Sequence, residues 1–326
     1  MESFSFSIGE ISGNEDKSEY FDKLWDVIVL GGGPAGLTAA LYAVRYGLDT
    51  LVVEKAGAGG QVAITDMVEN YPGFPEGIGG AELANRIRKQ AEKFGAKILI
   101  KDVRSVKLRE TPKEVEVLGG TIKSKTTIIA TGADFRKLGV PGEGKFTGRG
   151  VSYCATCDAP LFRNKPVAVV GGGDTAVEEA LYITKYASKV YLIHRRDALR
   201  AARVYQERAF ANPKIEILWS HIVQSINGEE KVNSITLENL KTGEKWDLEV
   251  DGVFIFIGLV PNTRQFRDQV KTDEAGYIIT NEDMKTSVEG VFAAGDVRRK
   301  SLRQVVTAVA DGAIAATSAY RYIENI

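Results

Sequence analysis

The sequence predicts an α/β protein made of two related units, each a parallel sheet wound with helices. A pattern of strand, glycine turn, helix and strand spans residues 25–54 and returns at 166–194. The copies align without a gap: Leu41-Tyr42 falls on Leu181-Tyr182, and Tyr46 on Tyr186. A length of 326 residues suits two cores better than one.

In the first copy, Trp25 to Leu30 is a short apolar run suited to a buried parallel strand. Gly31-Gly32-Gly33-Pro34-Ala35-Gly36 follows, then a helix through Leu41-Tyr42. Pro34 is tolerated at a helix start, where its missing N–H costs nothing. Thr50 to Val53 is the second strand, and it ends on Glu54, about 20 residues past the glycines. This is the Rossmann-like arrangement. Glycines let the backbone approach a pyrophosphate at the positive helix terminus, and the acid meets a ribose. The alternative is a glycine-rich turn in an unrelated α/β protein.

The second copy runs from Pro166 to Val170, through Gly171-Gly172-Gly173-Asp174-Thr175-Ala176, to the strand Lys189 to Ile193. The position of Glu54 is taken by His194, followed by Arg195, Arg196 and Arg200. An acid would repel a 2′-phosphate, whereas guanidinium groups bind one bidentately. The second site is therefore expected to prefer NADP(H) to NAD(H). The alternative is a solvated basic patch.

Two further apolar runs end in glycine: Thr127-Ile128-Ile129-Ala130-Thr131-Gly132 and Val253 to Gly258. Each is expected to close its own unit. Gly142-Glu143-Gly144 and Leu259 to Asn262 have linker character. The second unit is then inserted into the first, with two crossing strands at the junction. The predicted divisions are a loosely ordered arm over 1–22, a first unit over 23–137, the inserted unit over 138–262, and the rest of the first unit over 263–326. Near the end, Val291 to Ala294 is a strand running into Gly295-Asp296, and an apolar small-residue helix follows. Asp296 is placed either to bind a sugar or ribityl hydroxyl or to cap that helix.

The only cysteines are Cys154 and Cys157, inside the inserted unit. A ring closed by so short a loop is a poor staple and a better store for two electrons. The thiolate is the reactive form, so an acid is needed to manage its proton, and Asp158 is the adjacent candidate. Zinc is not expected, because there is no second cysteine pair and the two histidines, His194 and His221, fit no finger spacing. Hydrolysis by a nucleophilic serine is unsupported, since no GxSxG elbow is present. Lys plus Arg (42) nearly cancels Asp plus Glu (43), so no footprint for nucleic acid or an anionic membrane is expected. No apolar run approaches the roughly 20 residues of a membrane span. The start of the chain is polar and acidic and lacks a secretory pattern, which predicts a cytoplasmic protein.

Taken together, the chain resembles the low-molecular-weight thioredoxin reductases. The carrying stretches are Gly31 to Gly36, Gly59-Gly60-Gln61, Val68 to Gly73, Ala130-Thr131-Gly132, Cys154-Ala155-Thr156-Cys157-Asp158, Gly171 to Ala176, His194-Arg195-Arg196 with Arg200, and Gly295-Asp296 with Arg303-Gln304. The resemblance implies FAD in the first unit, with Glu54 and Lys55 at the adenosine end. It puts Gly60, Gln61, Thr65 and Asn70 near the ribityl chain and flavin, Val103 on the adenine side, Asp296 on the ribityl chain, and Arg303, Gln304 and Val305 toward the ring. It implies NADPH in the second unit, Cys157 facing the flavin, Cys154 exchanging with thioredoxin or a similar small redox protein, and Asp158 as the acid. It also implies a homodimer and an inserted domain that rotates between partners. Ala159 stands where the family often has glycine, and the arm before Trp25 is longer than usual. Two other readings remain: an NAD(P)H oxidase or related protein with another acceptor, and a flavin-binding regulator with a vestigial nicotinamide site.

Overall fold

The computed structural model describes residues 20–64, 67–68 and 70–326. The predicted arm, apart from residues 20–22, lies outside the described residues, as does Thr65.

The strand Leu24–Leu30 is buried on both faces over Val27 to Leu30, where its apolar run is unbroken. It pairs in parallel with Thr50–Glu54 on one side and Gly120–Ile129 on the other. Lys97–Ile100 extends the sheet beyond Thr50–Glu54, and Val291–Ala293 pairs in parallel with the far half of Gly120–Ile129. The near half of Gly120–Ile129 pairs with an antiparallel ribbon, Lys113–Val117 and Val103–Lys107. This ribbon is a departure from an all-parallel expectation. Its strands mix charged and polar residues among the valines, so they carry no continuous apolar run.

Helices Pro34–Arg45 and Val305–Ile323 cover one face of this sheet together, and small residues let them approach. A Cβ at Gly312 would lie 2.2 Å from the carbonyl oxygen of Ala35. The other face is packed by Trp25, Leu30, Val53, Phe266 and Val291.

The second sheet is wholly parallel, in the order Val151–Ser152, Gly252–Phe256, Pro166–Gly171, Lys189–His194 and Ile215–Trp219. Against it lies an antiparallel sheet of three strands, His221–Gly228, Val232–Asn239 and Lys245–Glu249. The crossing segments pair with each other: Ala133–Phe135 runs antiparallel to Leu259–Pro261. Just beyond, the Asn262 amide donates to the Thr131 carbonyl (3.1 Å), and the Thr131 hydroxyl donates to the Asn262 carbonyl (2.8 Å). The two crossings are thus tied by side chains as well as by backbone.

Candidate active site

The first glycine turn starts at Gly31, whose φ of 106° favours glycine and whose Cβ would lie 2.4 Å from the Ala130 oxygen. Gly33 is the N-cap of Pro34–Arg45, with proline at the first position. A Cβ there would have only the Gly60 Cα, at 3.8 Å, as a neighbour. The helix N-terminus therefore opens onto space bounded by glycine, with its N–H groups free for an anion. Glu54 lies beside this turn: its carboxylate accepts from the Gly32 N–H (2.7 Å) and the Ala56 N–H (3.2 Å). Lys55 is exposed.

Around the mouth of this space, Gln61 donates through Nε2 to the Ala133 carbonyl and to Asp134 Oδ1 (3.2 Å). Asn70 donates to Gln304 Oε1 (3.0 Å). Gln304 is the N-cap of Val305–Ile323 in a reciprocal box with Thr307, so the capping role considered for Asp296 belongs to Gln304. Val305 packs with the cluster of Val62, Val68 and Leu83. Val103 opens its strand, and its carbonyl accepts from Gln265 (2.6 Å).

Asp296 sits in the short turn Gly295–Val297, where Gly295 has a φ of 78°. Asp296 Oδ1 and Arg303 Nε are buried without a hydrogen-bond partner. Burial pushes the Asp296 carboxyl up, while Lys300 and Arg303 pull it back. The Arg303 guanidinium lies 4.1 Å from the Tyr277 ring centre. An unpaired buried carboxylate oxygen is costly unless something absent from the chain completes it. A ligand hydroxyl for Asp296 and a pyrophosphate for the Gly33 turn meet both requirements, and FAD carries both.

The second glycine turn repeats the first with one change. A Cβ at Gly172 would lie 2.2 Å from His194 Nδ1, where a Cβ at Gly32 would lie 3.1 Å from the Glu54 Cβ. His194 therefore occupies the Glu54 place. It is 5% exposed. Its Nε2 is 3.1 Å from the Ala198 oxygen. Burial lowers its pKa, and Arg200 and Arg196 lower it further. Gly171 has a φ of 156°, and Gly173 caps Asp174–Ile183 with no atom near its Cβ position. Arg195, Arg196 and Arg200 are exposed and form no ion pair among the described residues. Thr175 is exposed too. Asp174, expected at the cofactor, has its carboxylate on the Ala202 N–H (2.6 Å), and the Arg200 N–H donates to the Gly172 carbonyl (2.7 Å). Both bonds hold the arginine loop over the glycine turn.

Cys154 caps the short helix Ala155–Asp158 and is disulfide-bonded. Its N–H donates to Ser152 Oγ (3.1 Å), and the Asp158 N–H donates to its carbonyl (3.2 Å). The turn packs on helix Asp174–Ile183 of the inserted unit and on the strand Met67–Val68 of the first. Asp158 is half-buried. The Tyr153 ring stacks on Phe135 of the crossing strand with centres 5.4 Å apart. Its hydroxyl donates to Glu143 Oε1 (2.7 Å).

Sequence reasoning missed Glu143. The Gly142-Glu143-Gly144 segment has linker composition, yet Glu143 is 3% exposed. Its carboxylate also accepts from the Leu138 N–H (2.9 Å) and the Gly139 N–H (2.7 Å). It was missed because its partners are mainly backbone groups, which leave no sequence pattern. Asp311, a lone acid in an apolar helix, is the other omission, and that isolation was a usable signal.

Residues 25–312 match the family model of pyridine nucleotide-disulphide oxidoreductases. The chain belongs to this family. Within it the chain is 50% identical over 306 residues to the thioredoxin reductase of Bacillus subtilis, covering 94% of this chain and 96% of the relative. It is 49% identical over 302 residues to that of Treponema pallidum, covering 93% and 98%. The solved thioredoxin reductase of Streptococcus pyogenes superposes with a TM-score of 0.79 at 47% identity, covering 93% of this chain and 99% of that one. The family resemblance and the two dinucleotide-binding units expected from the sequence are thus borne out. Thioredoxin reductases of this pyridine nucleotide-disulphide oxidoreductase family use FAD and NADPH.

Proposed function

We propose that this member of the family is an NADPH-dependent thioredoxin-disulfide reductase. FAD, when bound, supplies the two-electron link between a nicotinamide hydride and the Cys154–Cys157 disulfide. The net reaction turns NADPH, a proton and a protein disulfide into NADP⁺ and a protein dithiol. In this reading 23–137 and 263–326 hold FAD, and 138–262 hold NADPH and the cysteines.

In this reading Gly31, Gly33, Pro34, Ala35 and Gly36 hold the FAD pyrophosphate, with Glu54 and Lys55 at its ribose. Gly60, Gln61, Asn70, Ala130, Thr131, Gly132, Gly295, Asp296, Arg303, Gln304 and Val305 enclose the remainder, with Val103 on the adenine side. Gly171, Gly173, Asp174 and Thr175 form the NADPH turn. His194, Arg195, Arg196 and Arg200 line the site of its 2′-phosphate, and the arginines supply the charge. Cys157 faces the flavin side, Cys154 attacks the partner disulfide, and Asp158 gives and takes the thiolate proton. The inserted unit turns on the Ala133–Phe135 and Leu259–Pro261 crossing to present the cysteines to each partner in turn. The partner is thioredoxin or a similar small redox protein, and the working form is a cytoplasmic homodimer.

The supporting observation is the position of the Cys154 turn, packed at once on the strand Met67–Val68 and on the helix Asp174–Ile183. A disulfide there lies between the two glycine-turn units. The test is NADPH oxidation with and without thioredoxin, by the wild type and Cys157→Ser. The wild type should consume NADPH in proportion to thioredoxin disulfide, and the variant should not reduce it. NADPH consumption that needs only oxygen would support the oxidase reading, and thioredoxin reduction by the variant would sink the sulfur relay.

A further inference from the structure

The turn that carries Asp296 is surrounded by cations. Arg298, Lys300 and Arg303 follow it within one loop, yet Asp296 Oδ1 has no hydrogen-bond partner. A buried carboxylate near Lys300 and Arg303 ordinarily pairs with one of them. Here Arg298 and Lys300 are both held elsewhere. Asp311, on the helix Val305–Ile323, takes both. Its Oδ2 accepts from Lys300 Nζ (2.7 Å) and its Oδ1 from Arg298 Nη1 (3.2 Å). The same Oδ2 accepts from the Gly295 N–H (3.0 Å), which fixes the turn itself. Arg298 is also bonded to Thr280 Oγ1 (3.0 Å), and Arg303 lies on Tyr277. Lys300 has no hydrogen-bonding side-chain partner besides Asp311 among the described residues. The cluster is dry: Asp311 is 6% exposed, and the Lys300 side chain is 9% exposed.

We propose that Asp311 is a positioning residue that keeps Lys300 off Asp296, and so reserves Asp296 Oδ1 for a hydroxyl of FAD. The proposal rests on the reading of Asp296 as an FAD ligand and adds the reason its oxygen stays available. Without the Asp311 carboxylate, Lys300 is buried with no anion of its own. The next carboxylate in that cluster is Asp296. A Lys300–Asp296 pair must then be broken each time FAD binds, and that cost appears as weaker binding.

The test follows FAD release from full-length holoprotein by flavin fluorescence, giving a dissociation constant for the wild type, Asp311→Asn, Asp311→Asn/Lys300→Met and Asp296→Asn. Asp311→Asn should weaken FAD binding by on the order of tenfold, the effect of one modest competing ion pair. Asp311→Asn/Lys300→Met should recover binding to within about threefold of the wild type, because the competitor is gone. A purely structural role for Asp311 gives no such rescue. Wild-type affinity in Asp311→Asn, or a double variant no tighter than that single variant, overturns the proposal. If Asp311→Asn does not fold, the double variant decides alone: affinity near the wild type supports the proposal, and a tenfold loss overturns it. The Asp296→Asn arm separates the two ideas. Undiminished binding there sinks the reading of Asp296 and this inference with it, whereas weakened binding without rescue sinks this inference alone.

Discussion

Gly172 and His194 touch so closely that a Cβ on the glycine would lie 2.2 Å from the imidazole. The same register in the first unit brings Gly32 against Glu54, which places an acid at one nucleotide turn and a histidine followed by exposed arginines at the other. Replacing Arg195 and Arg196 by alanine should therefore raise the KM for NADPH by about tenfold or more, the worth of a charged bidentate contact. The KM for NADH should stay within about threefold, since NADH has no 2′-phosphate. Steady-state kinetics with both nucleotides decide this, and an equal loss for both would contradict it.

Gly172→Ala tests the contact itself. The added methyl meets an imidazole that is buried and bonded to the Ala198 carbonyl, so it has little room to yield. Overpacking of this kind costs about 1–3 kcal/mol. Urea unfolding should show a lower midpoint with an unchanged slope.

Glu143 joins the segment Leu138-Gly139, just past the crossing strand, to Tyr153, the residue before Cys154. Tyr153→Phe removes one of the three hydrogen bonds to its carboxylate and leaves the Leu138 and Gly139 N–H bonds in place. The expected loss is about 1 kcal/mol. Glu143→Ala strips all three and leaves the Leu138 and Gly139 N–H groups without their acceptor, so its loss should exceed that of Tyr153→Phe by about 1 kcal/mol or more. Equal effects in chemical denaturation would show that Glu143 does not organise this segment.

Glu179 gives a pH signature. Burial, with Glu178 beside it, pushes its carboxyl up to about 7 from an ordinary 4.5. Between those values the native state keeps a proton that the unfolded chain has lost. The contribution is therefore complete below pH 4.5 and is lost as pH rises through about 7. The wild type minus Glu179→Gln stability difference should fall by on the order of 2 kcal/mol from pH 4.5 to 8. A difference that does not change with pH would contradict the burial account.

The parts of the fold legible in the sequence are those that physics restricts to few residues. Both glycine turns were readable because a side chain at Gly31 or Gly171 collides with backbone from the neighbouring strand. The strand Leu24–Leu30 was readable because burial on both faces demands the unbroken apolar run that Val27 to Leu30 supplies. The ribbon Val103–Lys107 and Lys113–Val117 was not, because half-buried strands need only alternate. Within the site, Asn70 and Gln304 come together over more than two hundred residues of chain, which no local pattern encodes. Asp174 shows a different limit. Its place at the start of a nucleotide helix suggested a ligand contact, while its carboxylate serves the Ala202 N–H and the shape of the loop.

The central claim is that reducing equivalents from NADPH reach the Cys154 disulfide. One equivalent of NADPH added anaerobically to the holoprotein, followed by quenching in denaturant and thiol titration, tests it most directly. The account predicts about two new thiols per chain, the count a two-electron reduction of one disulfide requires. Bleaching of the flavin with no new thiols would contradict it.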